Sequence, residues 1–139
     1  AFSSAGGIIA ILLVSIFGQG GRHGLRFIIV LHVFGVALLL LGLAPSVHIA
    51  ILAIVLMSGM MSLSDLFSQT LLQRLVPNDL RGRAMGAWTT AVGTGPLGNL
   101  EIGALASILG VTTALSLHGG ALILLAIVTF VTFKNLREI

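Results

Sequence analysis

LLQRLVPNDLRGRAMGAWTTAVGTGPLGNLEIG, residues 71–103, is the stretch on which the reading of this chain turns. It closes one long apolar run, crosses a short loop carrying Arg74, Arg81 and Arg83, and opens a second apolar run rich in glycine. Neither a soluble core helix nor a single-pass anchor needs that combination. A charged bend between two spans suits a polytopic membrane protein whose helices pack closely and move.

Composition points the same way. Of 139 residues, 57% are hydrophobic and 8% charged, with a mean hydropathy of +1.16. An ordinary soluble domain carries about 25% charged residues, so too little polar surface is present to cover a water-soluble globule. Glycine is frequent (18) and proline rare (3), which argues against a low-complexity coil and suits closely packed transmembrane helices. The absence of cysteine excludes disulfides, thiolate metal sites and thiol nucleophiles. A pI near 11.3 resembles that of a nucleic-acid binder. The net charge is only +3, however, and its cations sit in short loops rather than on one face, so no nucleic-acid partner is expected. The chain opens on Ala1 inside an apolar run, with no basic region and no small-residue cleavage site before it. That start is read as a fragment lacking upstream helices, not as a signal peptide.

Five apolar stretches follow one another, at about residues 3–17, 27–44, 47–73, 84–109 and 114–133. Barrel strands would be about 9–11 residues with alternating polarity, so these lengths predict helices. In hydrocarbon a backbone must satisfy its own hydrogen bonds, and runs this long do so only as helices. The expected fold is therefore an all-α membrane bundle of about five transmembrane helices, a partial transmembrane domain over 1–139. Arg22 and Arg26 lie between runs one and two, Arg74, Arg81 and Arg83 between three and four, and Lys134 and Arg137 after five. The alternate loops, 45–48 and 110–113, have no Lys or Arg. The positive-inside rule then puts the arginine loops and the C-terminus in the cytoplasm, on a cell (inner or plasma) membrane.

Within the opening stretch, Pro77-Asn78-Asp79 predicts a helix start capped by Asn78 or Asp79. Arg81 and Arg83 follow where the helix dipole disfavours cations, so they are expected either to meet a partner, anionic lipid or an acidic group, or to act as topology determinants. Gly82 and Gly86 form a small-xxx-small pair; Gly95, Asn99 and Gly103 continue a stripe, with Gly93 and Gly98 beside it. Pro96 predicts a kink or unwound point at Gly-Thr-Gly-Pro. Trp88 is expected as an interfacial anchor.

Here a family resemblance enters. LVPNDLRGRAMGAW followed by GTGPLGNLEIGALASILGV resembles the penultimate cytoplasmic loop and eleventh helix of major facilitator superfamily transporters, in particular exporters of the siderophore- and drug-efflux type. The resemblance implies the C-terminal part of a twelve-helix secondary transporter that exports a small organic compound by proton antiport, without a cofactor and without enzymatic chemistry. The loop GQGGRHGLR is similar to that family's signature loop and keeps Arg22, Gly24 and Arg26, but Gly21 stands where the family has an aspartate. The ion pair of that aspartate cannot form here.

Ionisable groups inside apolar runs are costly unless they face protein or water. Glu101, near Asn99, is read either as a proton-coupling or path-lining carboxylate or as a group holding helices together. Asp65, one turn from Gln69, lines either a cavity or an interfacial face. His32 and His118 read as packing residues, and no two histidines have metal-ligand spacing. GTGPLG lacks the Lys-Ser/Thr of a phosphate-binding loop, which leaves an ATP-driven pump unsupported. The alternatives to transport are an intramembrane enzyme using Asp65 and Glu101 as paired acids, or a scaffold subunit that only assembles helices.

Overall fold

The computed structural model describes residues 23–134. Their regular structure is helical: α1 (His23–Gly42), α2 (Val47–Leu75), α3 (Arg81–Gly93), α4 (Gly95–Leu109) and α5 (Val111–Thr132). Because α3 and α4 are two halves of one helix interrupted at Thr94, these five segments amount to four helices. Helices α1, α2 and α5, of 20, 29 and 22 residues, are long and apolar enough to cross a membrane. The described chain thus has three candidate spans, not five. The first expected run, 3–17, lies outside the described residues, as do Arg22 and Arg137. The fourth is broken into pieces of 13 and 15 residues, each shorter than the roughly 17–25 that a single straight span needs.

Helix ends differ from the apolar runs for local reasons. Helix α1 begins at His23 and takes in Gly24, Leu25 and Arg26, which read as loop in the sequence. Hydropathy marks only the oily length of a helix, and backbone hydrogen bonding runs on through a polar end. Pro45 stops α1, and Ser46 opens α2 in extended geometry (φ −147°, ψ 155°), its hydroxyl accepting the Ile49 N–H at 3.5 Å. The start of α3 corrects an expectation. Neither Asn78 nor Asp79 caps it; Leu80 occupies the cap position at φ −101°, ψ −8°, with no side-chain cap bond. The Leu80 N–H donates to Pro77 O at 3.1 Å and the Ala84 N–H to Leu80 O at 3.0 Å, so a tight turn winds straight into the helix. The extended residue that a side-chain cap requires is missing there.

Helix α1 packs against α2 on one side and α5 on the other. Toward α2 the contact is built from large side chains: Val30, Leu63 and Phe67 are buried together, with Phe27 and Met60 against them. Toward α5 it centres on two glycines, with Leu39 and Ile123 beside them. A Cβ at Gly35 would lie 2.8 Å from the Gly119 carbonyl oxygen, and one at Gly119 would lie 2.7 Å from the Gly35 carbonyl oxygen. Ala37 and Ala114, both fully buried, belong to the same two helices. A Cβ at Gly42 would meet Thr112 O at 3.2 Å, while Ile28, Ile29 and His32 share a shallow groove with Ala126, Ile127 and Phe130. Numbers rise along α1 as they fall along α5, so the two helices are antiparallel.

The same register sorts the charges. The start of α1, the end of α2 and the end of α5 share one end of the layer, and with them Arg26, Arg74 and Lys134. Helix α3 starts there too, since the Arg81 guanidinium donates to Gln73 O at 2.9 Å. Helix α4 packs on α5 and finishes at the opposite end, at Gly110 (φ 85°). The described helices therefore lie in the order α2, α1, α5, α4. Large apolar side chains point outward from them, with Leu97 64%, Leu100 69% and Ile108 77% exposed. Contiguous apolar surface of this kind belongs against lipid or further helices.

The Gly35–Gly119 seam makes a testable demand. Gly35→Ala or Gly119→Ala must push backbone against backbone, an overpacking worth about 1–3 kcal/mol. Gly120, one residue on, has nothing within 4 Å of a Cβ. Thermal unfolding in detergent is expected to show a lowered midpoint for Gly119→Ala and none for Gly120→Ala. Equal midpoints for the two variants would remove the seam from the account.

Candidate functional site

The site is built around the break between α3 and α4. Pro96 has no N–H to offer the carbonyl four residues back, that of Val92, so the ladder must change there. The Thr94 N–H is shared between Thr90 O and Ala91 O, both at 3.2 Å, and the Leu97 N–H returns only three residues, to Thr94 O at 2.9 Å. The Thr94 hydroxyl donates to Ala91 O at 2.6 Å. Two further threonines in α3 do the same, Thr89 to Met85 O at 2.9 Å and Thr90 to Gly86 O at 3.0 Å. Such back-bonding satisfies the hydroxyls in an apolar setting and loosens the helix locally.

Below the break, α4 carries Glu101. Helix α5 turns back at Gly110 and brings His118 beside it, with Nε2 3.9 Å from Oε1. The carboxylate side chain is 66% exposed and the imidazole 26%. The other ring nitrogen is already engaged, since Nδ1 lies 2.9 Å from Ala114 O. A ring nitrogen at that distance from a carbonyl oxygen is a donor, so Nδ1 carries hydrogen and Nε2 faces the carboxylate.

The remaining sequence-predicted residues are placed as follows. Asp65 is exposed, off the buried line of Leu63, Phe67 and Leu71 that faces α1. Ser62 beside it bonds its own backbone, donating to Ser58 O at 3.1 Å. Helices α2 and α4 make no contact, so Asp65 and Glu101 are not brought together. Asn99 is exposed on α4, two residues before Glu101. Arg74, Asp79 and Arg83 are exposed around the turn between α2 and α3, and Arg26 is half-buried. Trp88 is half-buried.

The glycines divide in an unexpected way. A Cβ built at Gly82, Gly86, Gly93, Gly95, Gly98 or Gly103 meets nothing described within 4 Å. The stripe expected as a packing face thus has no partner among the described residues, and the close glycine contact lies between α1 and α5 instead. His118 is the site residue that the sequence reading missed. Its signal was present: residues 101 and 118 stand almost equally far from Gly110, and a one-residue bend between antiparallel helices sets such positions opposite each other.

Arg81 has found its partner on the chain itself. The Gln73 carbonyl lies in the last turn of α2, the negative end of that helix, which offsets the unfavourable start of α3. Replacing Arg81 by Ala is expected to speed amide hydrogen exchange at Val76 and Leu80 roughly three- to fivefold, the scale of an exposed charged contact. Arg83→Ala, which breaks no such bond, leaves those amides unchanged.

Comparison with known families, curated proteins and solved structures gives no match for this chain. What stands is an all-α arrangement of the described residues, with three helices long and apolar enough to cross a membrane.

Proposed function

We propose that this chain is part of a secondary active transporter that moves a small organic solute by alternating access, with export coupled to protons. The observation that carries the reading is the interrupted helix Arg81–Leu109, broken near its middle and bearing a carboxylate in its second half. At 1.5 Å per residue it measures about 43 Å, enough to cross roughly 30 Å of hydrocarbon despite the break. It leads from the end of the layer that holds Arg26, Arg74 and Lys134 to the bare end at Gly110. Discontinuous helices of this kind line the midplane sites of secondary transporters, because unwound backbone is tolerated in a membrane only against a cavity or other protein.

The resemblance of residues 75–111 to major facilitator exporters supports the same reading. So does the gathering of cations at one end, which by the positive-inside rule is the cytoplasmic one. The open glycine stripe of α3 and α4 then faces the other half of the transporter, across the solute path. An enzyme built on Asp65 and Glu101 needs both acids around one water, and helices that do not touch give it no support.

The test is flux in proteoliposomes under an imposed pH gradient, with Pro96→Ala beside the native protein. The variant restores a backbone donor and stiffens the break. Flux is expected to fall roughly tenfold, about 1.4 kcal/mol in barrier, without loss of thermal stability. Native protein that moves none of a broad panel of organic cations, anions and siderophore-like chelates would defeat the proposal, as would equal flux from the variant.

A further inference from the structure

We infer that Glu101 and His118 form one proton-binding pair, the imidazole held in orientation by the Ala114 carbonyl so that Nε2 and the carboxylate share a single proton. The inference rests on the transporter reading for what the proton is used for, but not for the existence of the pair.

The argument starts from the ring. With Nδ1 donating to Ala114 O at 2.9 Å, a neutral His118 has only a lone pair on Nε2. Glu101 Oε1, 3.9 Å away, also has only lone pairs when ionised. Two acceptors facing each other repel, and the arrangement becomes attractive only when a proton sits on one of them. The separation is about 1 Å beyond a direct hydrogen bond, and a χ rotation of the exposed Glu101 side chain closes it.

Among the described residues, no other ionisable group stands beside the pair. Glu101 is the sole ionisable residue of α4, and His118 the sole one of α5. Helix α1, packed against α5, has no titratable group between Val33 and Gly42, the stretch that lies along His118. His32 sits two turns further along, against Ala126, Ile127 and Phe130. Helices α2 and α3 make no contact with α5. Counting from Gly110, the pair lies about 12–14 Å along the helices at 1.5 Å per residue, within a hydrocarbon half-thickness of about 15 Å.

Loaded, the pair is imidazolium beside carboxylate, net neutral. Unloading breaks the Nε2–H bond, leaves its electron pair on nitrogen and passes the proton to water; the pair is then net negative. A neutral pair is tolerated in apolar surroundings, whereas a bare charge demands water or a cation. One proton therefore binds and leaves as a unit.

The test uses the protein in lipid nanodiscs, with ¹⁵N-labelled histidine and infrared detection of the Glu101 carboxyl band. Three variants are compared with the native protein: Glu101→Gln; His118→Asn, whose amide nitrogen stands where Nδ1 stood and keeps the bond to Ala114; and Glu101→Asp, which keeps the charge and controls for folding. Nδ1 is expected to stay protonated while Nε2 alone responds to pH. Glu101→Gln then displaces the pH at which Nε2 responds, His118→Asn displaces the carboxyl transition, and Glu101→Asp retains the coupling. In proteoliposomes, Glu101→Gln and His118→Asn each lose one proton per solute moved. Transitions that stay in place when the partner is removed would overturn the pair, even if native flux followed the pH gradient. Reciprocal displacement in a protein that moves no solute would uphold the pair and discard the transporter.

Discussion

Two backbones touch where α1 crosses α5, and the arrangement of the rest follows from that contact. Neither Gly35 nor Gly119 could carry a Cβ without meeting the other's carbonyl oxygen at under 3 Å. In water, helices associate because burying apolar surface is favourable. In hydrocarbon that drive is absent, and close packing of backbones and small side chains takes its place. The seam fixes α5 against α1, and the Gly110 bend then fixes α4 beside α5. His118 meets Glu101 as a consequence, although neither residue is part of the seam.

The layer is unequal in a way that bears on motion. Phe67 and its neighbours hold α2 to α1 through large side chains, whereas α5 meets α1 at a glycine seam flanked by Leu39 and Ile123. Helices α3 and α4 have no buried residue at all. Local opening is least costly where few apolar contacts are made and backbone hydrogen bonds are exposed. Three helices form the packed layer, and the fourth, already broken, touches it at Arg81 and along α5.

Much of this was legible from composition and spacing, and what was not has physical causes. Hydropathy found α1, α2 and α5 because it measures the property that makes them candidate spans. It drew α1 too short, since Gly24 and Arg26 are helical without being oily. Proline chemistry found the break, because a missing N–H at Pro96 acts on its own chain and needs no partner. Glycine spacing did not reveal the seam: Gly82, Gly86, Gly95 and Gly103 have the regular interval but no partner among the described residues, while Gly35 and Gly119, one on each of two helices, make the contact. A small-residue stripe says that a close approach is allowed, and only the partner decides whether it is used. Asn78 and Asp79 suffered the same fate as caps. Their side chains were suitable, but the turn through Leu80 left no extended residue for them to act from.

The two contacts that anchor the broken helix answer one electrostatic requirement. Arg81 sits at a helix start that repels cations, and the last turn of α2 supplies a carbonyl. Glu101 sits in an apolar segment that rejects anions, and α5 supplies an imidazole. One contact lies in each half of the interrupted helix, with Thr94 between them. The guanidinium is permanently charged, so its tether holds at every pH. The pair inferred between Glu101 and His118 is attractive only while a proton is shared, so the two contacts differ in kind as well as in place.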